Sequence, residues 1–151
     1  MRLLSRRRLI AGLGIAGVAI AAGRTVLAGE PVLEIYKSPW CGCCDAWVEH
    51  MRAAGFTAQV KELEDLTPLK AMLDIAPELQ SCHTAIVDGY VVEGHVPARD
   101  VSRLLAERPD AIGLAVPGMP IGLPGMEQGD MREPYDVVVF TADKRSVFAR
   151  Y

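Results

Sequence analysis

The chain has no Asp or Glu among its first 28 residues. The apolar stretch near its start, Leu9 to Ala22, falls short of the roughly 20 residues that a spanning helix needs. No low-complexity run and no internal repeat interrupts the 151 residues, which argues against a repeat array or a disordered tail. Cysteine is scarce at four residues and histidine at three, so wherever they gather is informative.

What the first 28 residues do contain is Arg2, Arg6, Arg7, Arg8 and Arg24, followed by a weakly apolar Gly/Ala-rich stretch and then Val26-Leu27-Ala28. A basic start, a short apolar stretch and a small-residue cut describe an export signal. The paired arginines point to the twin-arginine route, and an uncleaved membrane anchor is the alternative. Residues 29–151 are then expected to form one domain with a modest core. Five of the 16 basic residues lie in the signal, leaving 11 against 19 acidic residues, a net charge of −8 for the remainder. A surface that acidic disfavours nucleic acid, so no nucleic-acid partner is expected, and it tolerates cations.

Beyond residue 30 the pattern alternates between strand and helix. Val32 to Tyr36 predicts a strand, and Cys43 to Ala54 a helix ended by Gly55, with Cys44, Val48 and Met51 along one stripe. Thr57 to Leu63 predicts a strand. Thr67 to Leu73 predicts a helix with Thr67 as cap and Pro68 in its first turn. Thr84 to Val87 and Tyr90 to Glu93 flank Asp88-Gly89, a two-residue hairpin signal. Ala98 to Glu107 predicts a helix with Val101, Leu104 and Leu105 on one face. The segment 114–131 holds four glycines and three prolines and is expected to be irregular. Tyr135 to Thr141 predicts the last strand. This order gives an α/β sandwich.

The chemistry concentrates in Trp40-Cys41-Gly42-Cys43-Cys44, where three of the four cysteines occupy four positions. Strand, then Trp-Cys-Gly-x-Cys, then helix resembles the thioredoxin fold, with Cys41 and Cys44 matching its redox pair. Cys43 stands where thioredoxins usually carry proline. A second departure precedes the third strand, where thioredoxins place a cis-proline and this chain has Ser81-Cys82-His83-Thr84. The set Cys41 to Met51 (Cys-Gly-Cys-Cys-x-x-Trp-x-x-His-Met), Ser81 to Ala85, Gly89 to Pro97 and Gly113 to Pro120 is more narrowly similar to domain-of-unknown-function family 411, which includes copper-resistance proteins of Gram-negative bacteria. The resemblance covers about residues 31–142. It implies a periplasmic, copper-binding protein with a thioredoxin-like three-layer sandwich, a central mixed sheet with flanking helices.

The residue types support the same chemistry independently. Cu(I) is soft and prefers thiolates and thioethers, with imidazole acceptable. The chain offers Cys41, Cys43, Cys44 and Cys82, then His83, and Met119 and Met126 in two Pro-Gly-Met units of the irregular segment. A helix N-terminus favours the thiolate forms of Cys43 and Cys44. Four thiols exceed the need of one ion, so more than one Cu(I) is expected. Each residue also has a plainer role. Cys41 and Cys44 can close a disulfide in an oxidising compartment, and Cys82 can staple to any of the three. Cys43 adjoins Cys44, and adjacent cysteines make only a strained bridge, which makes Cys43 the strongest argument for metal. His50 is expected to cap or support rather than ligate, and His95 to lie at an exposed strand end. Met51 and Met72 are expected in the core, and Met119 and Met126 can pack there too.

Three functional classes follow: a copper-binding protein of resistance or homeostasis, a copper redox enzyme with an electron-transfer partner, and a thiol–disulfide oxidoreductase using Cys41 and Cys44. The first would exchange copper with a periplasmic carrier. A membrane partner enters only through an uncleaved signal.

Overall fold

The computed structural model describes residues 31–151. The expected export signal, residues 1–28, lies outside the described residues. The elements run β1 (Val32–Lys37), α1 (Gly42–Ala53), β2 (Thr57–Glu62), α2 (Thr67–Met72), a 3-10 turn (Pro77–Leu79), β3 (His83–Val87), β4 (Tyr90–Glu93), α3 (Ala98–Glu107), β5 (Gly113–Ala115), β6 (Asp136–Phe140) and β7 (Arg145–Arg150). The strands form one mixed seven-stranded sheet in the order β2-β1-β3-β4-β5-β6-β7. β1 runs parallel to β2 and antiparallel to β3; β4 is antiparallel to β3 and parallel to β5; β6 is antiparallel to both its neighbours.

Local sequence explains most of this. The apolar stripe of α1 is buried as expected, with Cys44, Val48 and Met51 turned inward, and Trp47 is buried with them. The Asp88-Gly89 turn joins β3 to β4 with φ of 49° and 85°, the two left-handed residues that a type I′ hairpin requires. Alternation along β4 sends Val92 into the larger core, with Leu33, Ile35, Trp47, Val101 and Leu104, and Val91 into a smaller one with Ile75, Leu79, Ala115 and Phe140. Each fully buried Leu or Ile contributes roughly 1.5–3 kcal/mol. Among the described residues no helix is long and apolar enough to cross a membrane.

Several expectations need correction. Tyr135 to Thr141 is not the last strand: β7 follows it, a mostly exposed edge strand whose six residues show no clean apolar alternation. The segment 114–131 is irregular only after β5, whose three residues pair so tightly with β4 that a side chain at Gly113 would strike the Val91 carbonyl. Thr67 is not the cap of α2; Leu66 takes that position, and Asp65 Oδ1 accepts the Thr67 N–H at 2.8 Å. Met72 is 73 % exposed rather than part of the core, because six residues of α2 make too short a helix to bury two faces.

Candidate metal centre

Four cysteines come together from two separate segments. Cys41 occupies the N-cap of α1, Cys43 and Cys44 its first turn, and Cys82 the position just before β3. Their four sulfurs all lie within 4.8 Å of one another. Cys41 and Cys44 are closed as a disulfide, and Cys43 and Cys82 are free thiols, both half-buried. The Cys41 and Cys43 sulfurs are 3.5 Å apart. Burial pushes the Cys82 thiol up to about 11, and the adjacent Cys43 adds to the effect.

Two histidines complete the cluster. His83, the first residue of β3, is fully buried beneath Trp47, with ring centroids 4.4 Å apart. Its Nδ1 lies 3.3 Å from the Cys82 sulfur, and its Nε2 is buried with no hydrogen-bond partner among the described residues. Such an orphaned nitrogen is costly unless a ligand satisfies it. The second is His95, and here the expectation of an exposed strand end fails: His95 is fully buried. Its Nδ1 donates to the Pro124 carbonyl at 2.7 Å, which leaves Nε2 as a lone pair facing the Cys82 sulfur at 3.2 Å. Cys44, Cys82, His83 and His95 form a second group with donor atoms within 4.8 Å of one another. Burial holds both imidazoles below their ordinary range, His83 furthest, with His95 and Lys70 adding repulsion there. Neutral imidazole is the form that binds metal.

The surroundings fix these donors. The Trp47 indole N–H donates to Val96 O at 2.9 Å, pinning the turn that carries His95 to α1. His50 Nε2 accepts the Ala98 N–H at 3.0 Å and so caps α3, the supporting role expected of it. Beneath Cys82 sits a buried polar network. Glu93 accepts the Ser81 N–H at 2.6 Å, the Thr84 hydroxyl at 2.6 Å and the Lys70 ammonium. Lys70 also donates to Ser81 O at 3.1 Å. Both backbone groups of Ser81, the residue before Cys82, are thus held by one interior ion pair. Burial pushes the Glu93 carboxyl up against the pull of Lys70 and Thr84.

The two Pro-Gly-Met units meet this scaffold at their glycines. Gly118 O accepts from Ser81 Oγ at 3.3 Å. Gly125, at φ 85°, presses on α1 so closely that a Cβ would lie 2.6 Å from Trp47 N and 3.0 Å from Cys43 O. Met126 packs against the larger core, while Met119 is 48 % exposed.

The fold and the cluster define a class: a mixed α/β protein whose sheet and first helix gather thiols and imidazoles in an arrangement able to hold a metal ion. Residues 79–126 match the model of a family described as "Protein of unknown function, DUF411". A comparison with curated proteins returned no match. Two solved structures of copper resistance protein CopG, Forms 1 and 2, are similar over 81 % of this chain and 98 % of theirs, at 44 % and 42 % identity and a TM-score of 0.77 each. The chain belongs to this CopG-like DUF411 family.

Proposed function

We propose that the protein is a periplasmic Cu(I)-binding protein of copper resistance or homeostasis. Cys41, Cys43, Cys44 and Cys82 would be thiolate ligands, with His83, Met119 and Met126 beside them and His95 added to the set. The carrying observation is the convergence of four sulfurs within 4.8 Å, from two segments, beside the unpartnered Nε2 of His83. The donors are soft sulfur and imidazole with no carboxylate, which fits Cu(I). More sulfurs than one ion uses favour more than one Cu(I), bridged by shared thiolates. The β2-β1-β3-β4 order, with cores on two sides of β4, supports the thioredoxin-like three-layer sandwich. The arginine-rich start supports export by the twin-arginine route, and a copper carrier or electron-transfer partner would meet the site in the periplasm.

The test is Cu(I) counting on reduced, chelator-treated protein against a competing chromophoric chelator. The reading expects more than one ion per chain and a lower count for Cys43→Ser. A count that never exceeds one per chain defeats the bridged cluster.

The closed Cys41–Cys44 disulfide, beside a Trp40 that is 76 % exposed, favours a second reading as a thiol–disulfide oxidoreductase. In that case Cys43 is dispensable, and the reduced protein cleaves an insulin-like disulfide at a rate that Cys43→Ser leaves unchanged.

A further inference from the structure

With Cys41 and Cys44 joined, two thiols remain, and they face each other. Cys43 projects from the first turn of α1 and Cys82 from the start of β3; both are half-buried, and their sulfurs lie within 4.8 Å of each other. Cys43 has no better partner. Cys44 is its chain neighbour, and a vicinal bridge is strained. Cys41 is already engaged. A disulfide needs its sulfurs about 2.05 Å apart, so the pair must close by no more than roughly 3 Å, within reach of side-chain rotation at two half-buried cysteines.

We propose that Cys43 and Cys82 form a second dithiol–disulfide couple, so that the site is oxidised in two steps of two electrons each. The electron acceptor is an exchangeable disulfide. Cys43 gives its proton to solvent and its thiolate attacks the acceptor, forming a mixed disulfide and expelling one small thiolate. Cys82, held within 4.8 Å, loses its proton as it attacks the Cys43 sulfur and expels the second. One acceptor disulfide is reduced to two thiols, one protein disulfide is made, and two protons are exchanged with solvent. In the half-oxidised state the structure holds, Cys43, Cys82, His83 and His95 remain as donors. In the fully oxidised state only imidazoles and any thioethers remain. Resting on the copper reading above, this makes metal release graded: the first disulfide trims the site and the second empties it.

The experiment oxidises the reduced full chain with increasing glutathione disulfide, without metal, and counts free thiols while peptide mass mapping locates the bonds. Free thiols are expected to fall from four to two to none, with Cys41–Cys44 forming first and Cys43–Cys82 second. Cu(I) capacity, measured on each state, is expected to fall in two steps, and in Cys82→Ser Cys43 is expected to be found as the thiol or as its glutathione adduct at every oxidant concentration, never in a protein disulfide. Cys43 and Cys82 both alkylatable at oxidant excess, or Cys43 mapped to Cys41, overturns the couple. If both disulfides form as expected but the reduced protein binds no Cu(I), the couple stands and the copper reading falls.

Discussion

Removing the Glu93 carboxylate should reveal how strongly the interior ion pair holds the Cys82 segment. Glu93 is fully buried and Lys70 is 5 % exposed. In Glu93→Ala the ammonium of Lys70 stays in the interior without its anion, and breaking a buried pair from one side costs about 3–5 kcal/mol. The Ser81 N–H, which Glu93 accepts at 2.6 Å, is orphaned at the same time, and an unmade buried hydrogen bond costs roughly 1–3 kcal/mol. The two losses share one site and do not add fully, so a destabilisation of about 4 kcal/mol is expected. That is a large part of the 5–15 kcal/mol typical of a domain, and corresponds to a drop in Tm of roughly 12–20 °C at this size. The double change Lys70→Met with Glu93→Leu removes both charges but leaves the Ser81 N–H, the Ser81 carbonyl and the Thr84 hydroxyl without the partners the pair supplied, so it should still cost about 3–5 kcal/mol, through lost hydrogen bonds and not through a buried charge. Urea denaturation of reduced, chelator-treated protein, followed by circular dichroism, measures both variants. Unchanged m-values would show that the denatured state is the same. The double variant should fold yet bind Cu(I) at least about tenfold more weakly, because Ser81 has lost both anchors that aim Cys82; tenfold is about 1.4 kcal/mol. A cost below about 1 kcal/mol for Glu93→Ala would refute the reasoning.

Other outcomes follow from the same geometry. His83, His95 and His50 are all held below their ordinary range by burial, so the unfolded chain takes up protons that the folded one refuses. Stability of the metal-free protein should therefore be full above about pH 6.5 and fall towards pH 5, by up to about 1.4 kcal/mol per pH unit for each of His83 and His95. Glu93, pushed up, acts in the opposite sense but is one group against three; denaturation at pH 5, 6 and 7 that shows flat or rising stability on acidification would contradict this. Gly125→Ala puts a methyl 2.6 Å from Trp47 N at a φ of 85°, and should cost more than about 1 kcal/mol, read as a lowered Tm. Met119→Leu with Met126→Leu should keep the fold, and a weakened Cu(I) affinity in competition titration would place a thioether at the site; unchanged affinity would leave both residues to packing.

The elements with a strong local signal were legible in the sequence: the α1 stripe, the Asp88-Gly89 hairpin and α3, whose bounds match the expectation at both ends. β7 was not, because an edge strand with exposed faces needs no apolar period. The cysteines were legible because three of them crowd four positions. His95 was missed, though its signal was present. A two-residue turn pairs Val87 with Tyr90 and Thr84 with Glu93, and the same register continued outward sets Cys82 across from His95. The ladder carries on past the strand ends, with Gly94 N donating to His83 O at 3.0 Å. What no local pattern could convey was the network of Lys70, Thr84 and Glu93, whose members lie far apart in the chain and look like ordinary surface residues until the fold buries them.

The protein's two tryptophans sit on either side of the cluster in opposite environments. Trp47 is fully buried with its ring 4.4 Å from His83, and Trp40 is 76 % exposed beside Cys41. They make the site its own optical instrument. Emission from the buried indole, at short wavelength, should respond to what happens at the imidazole, while the exposed one, emitting further to the red, responds to quenchers in solution and to anything that settles over the Cys41 turn. Replacing Trp40 with Phe would leave a single intrinsic reporter against the donor set, so that loading, oxidation and acidification could be followed in real time without a label.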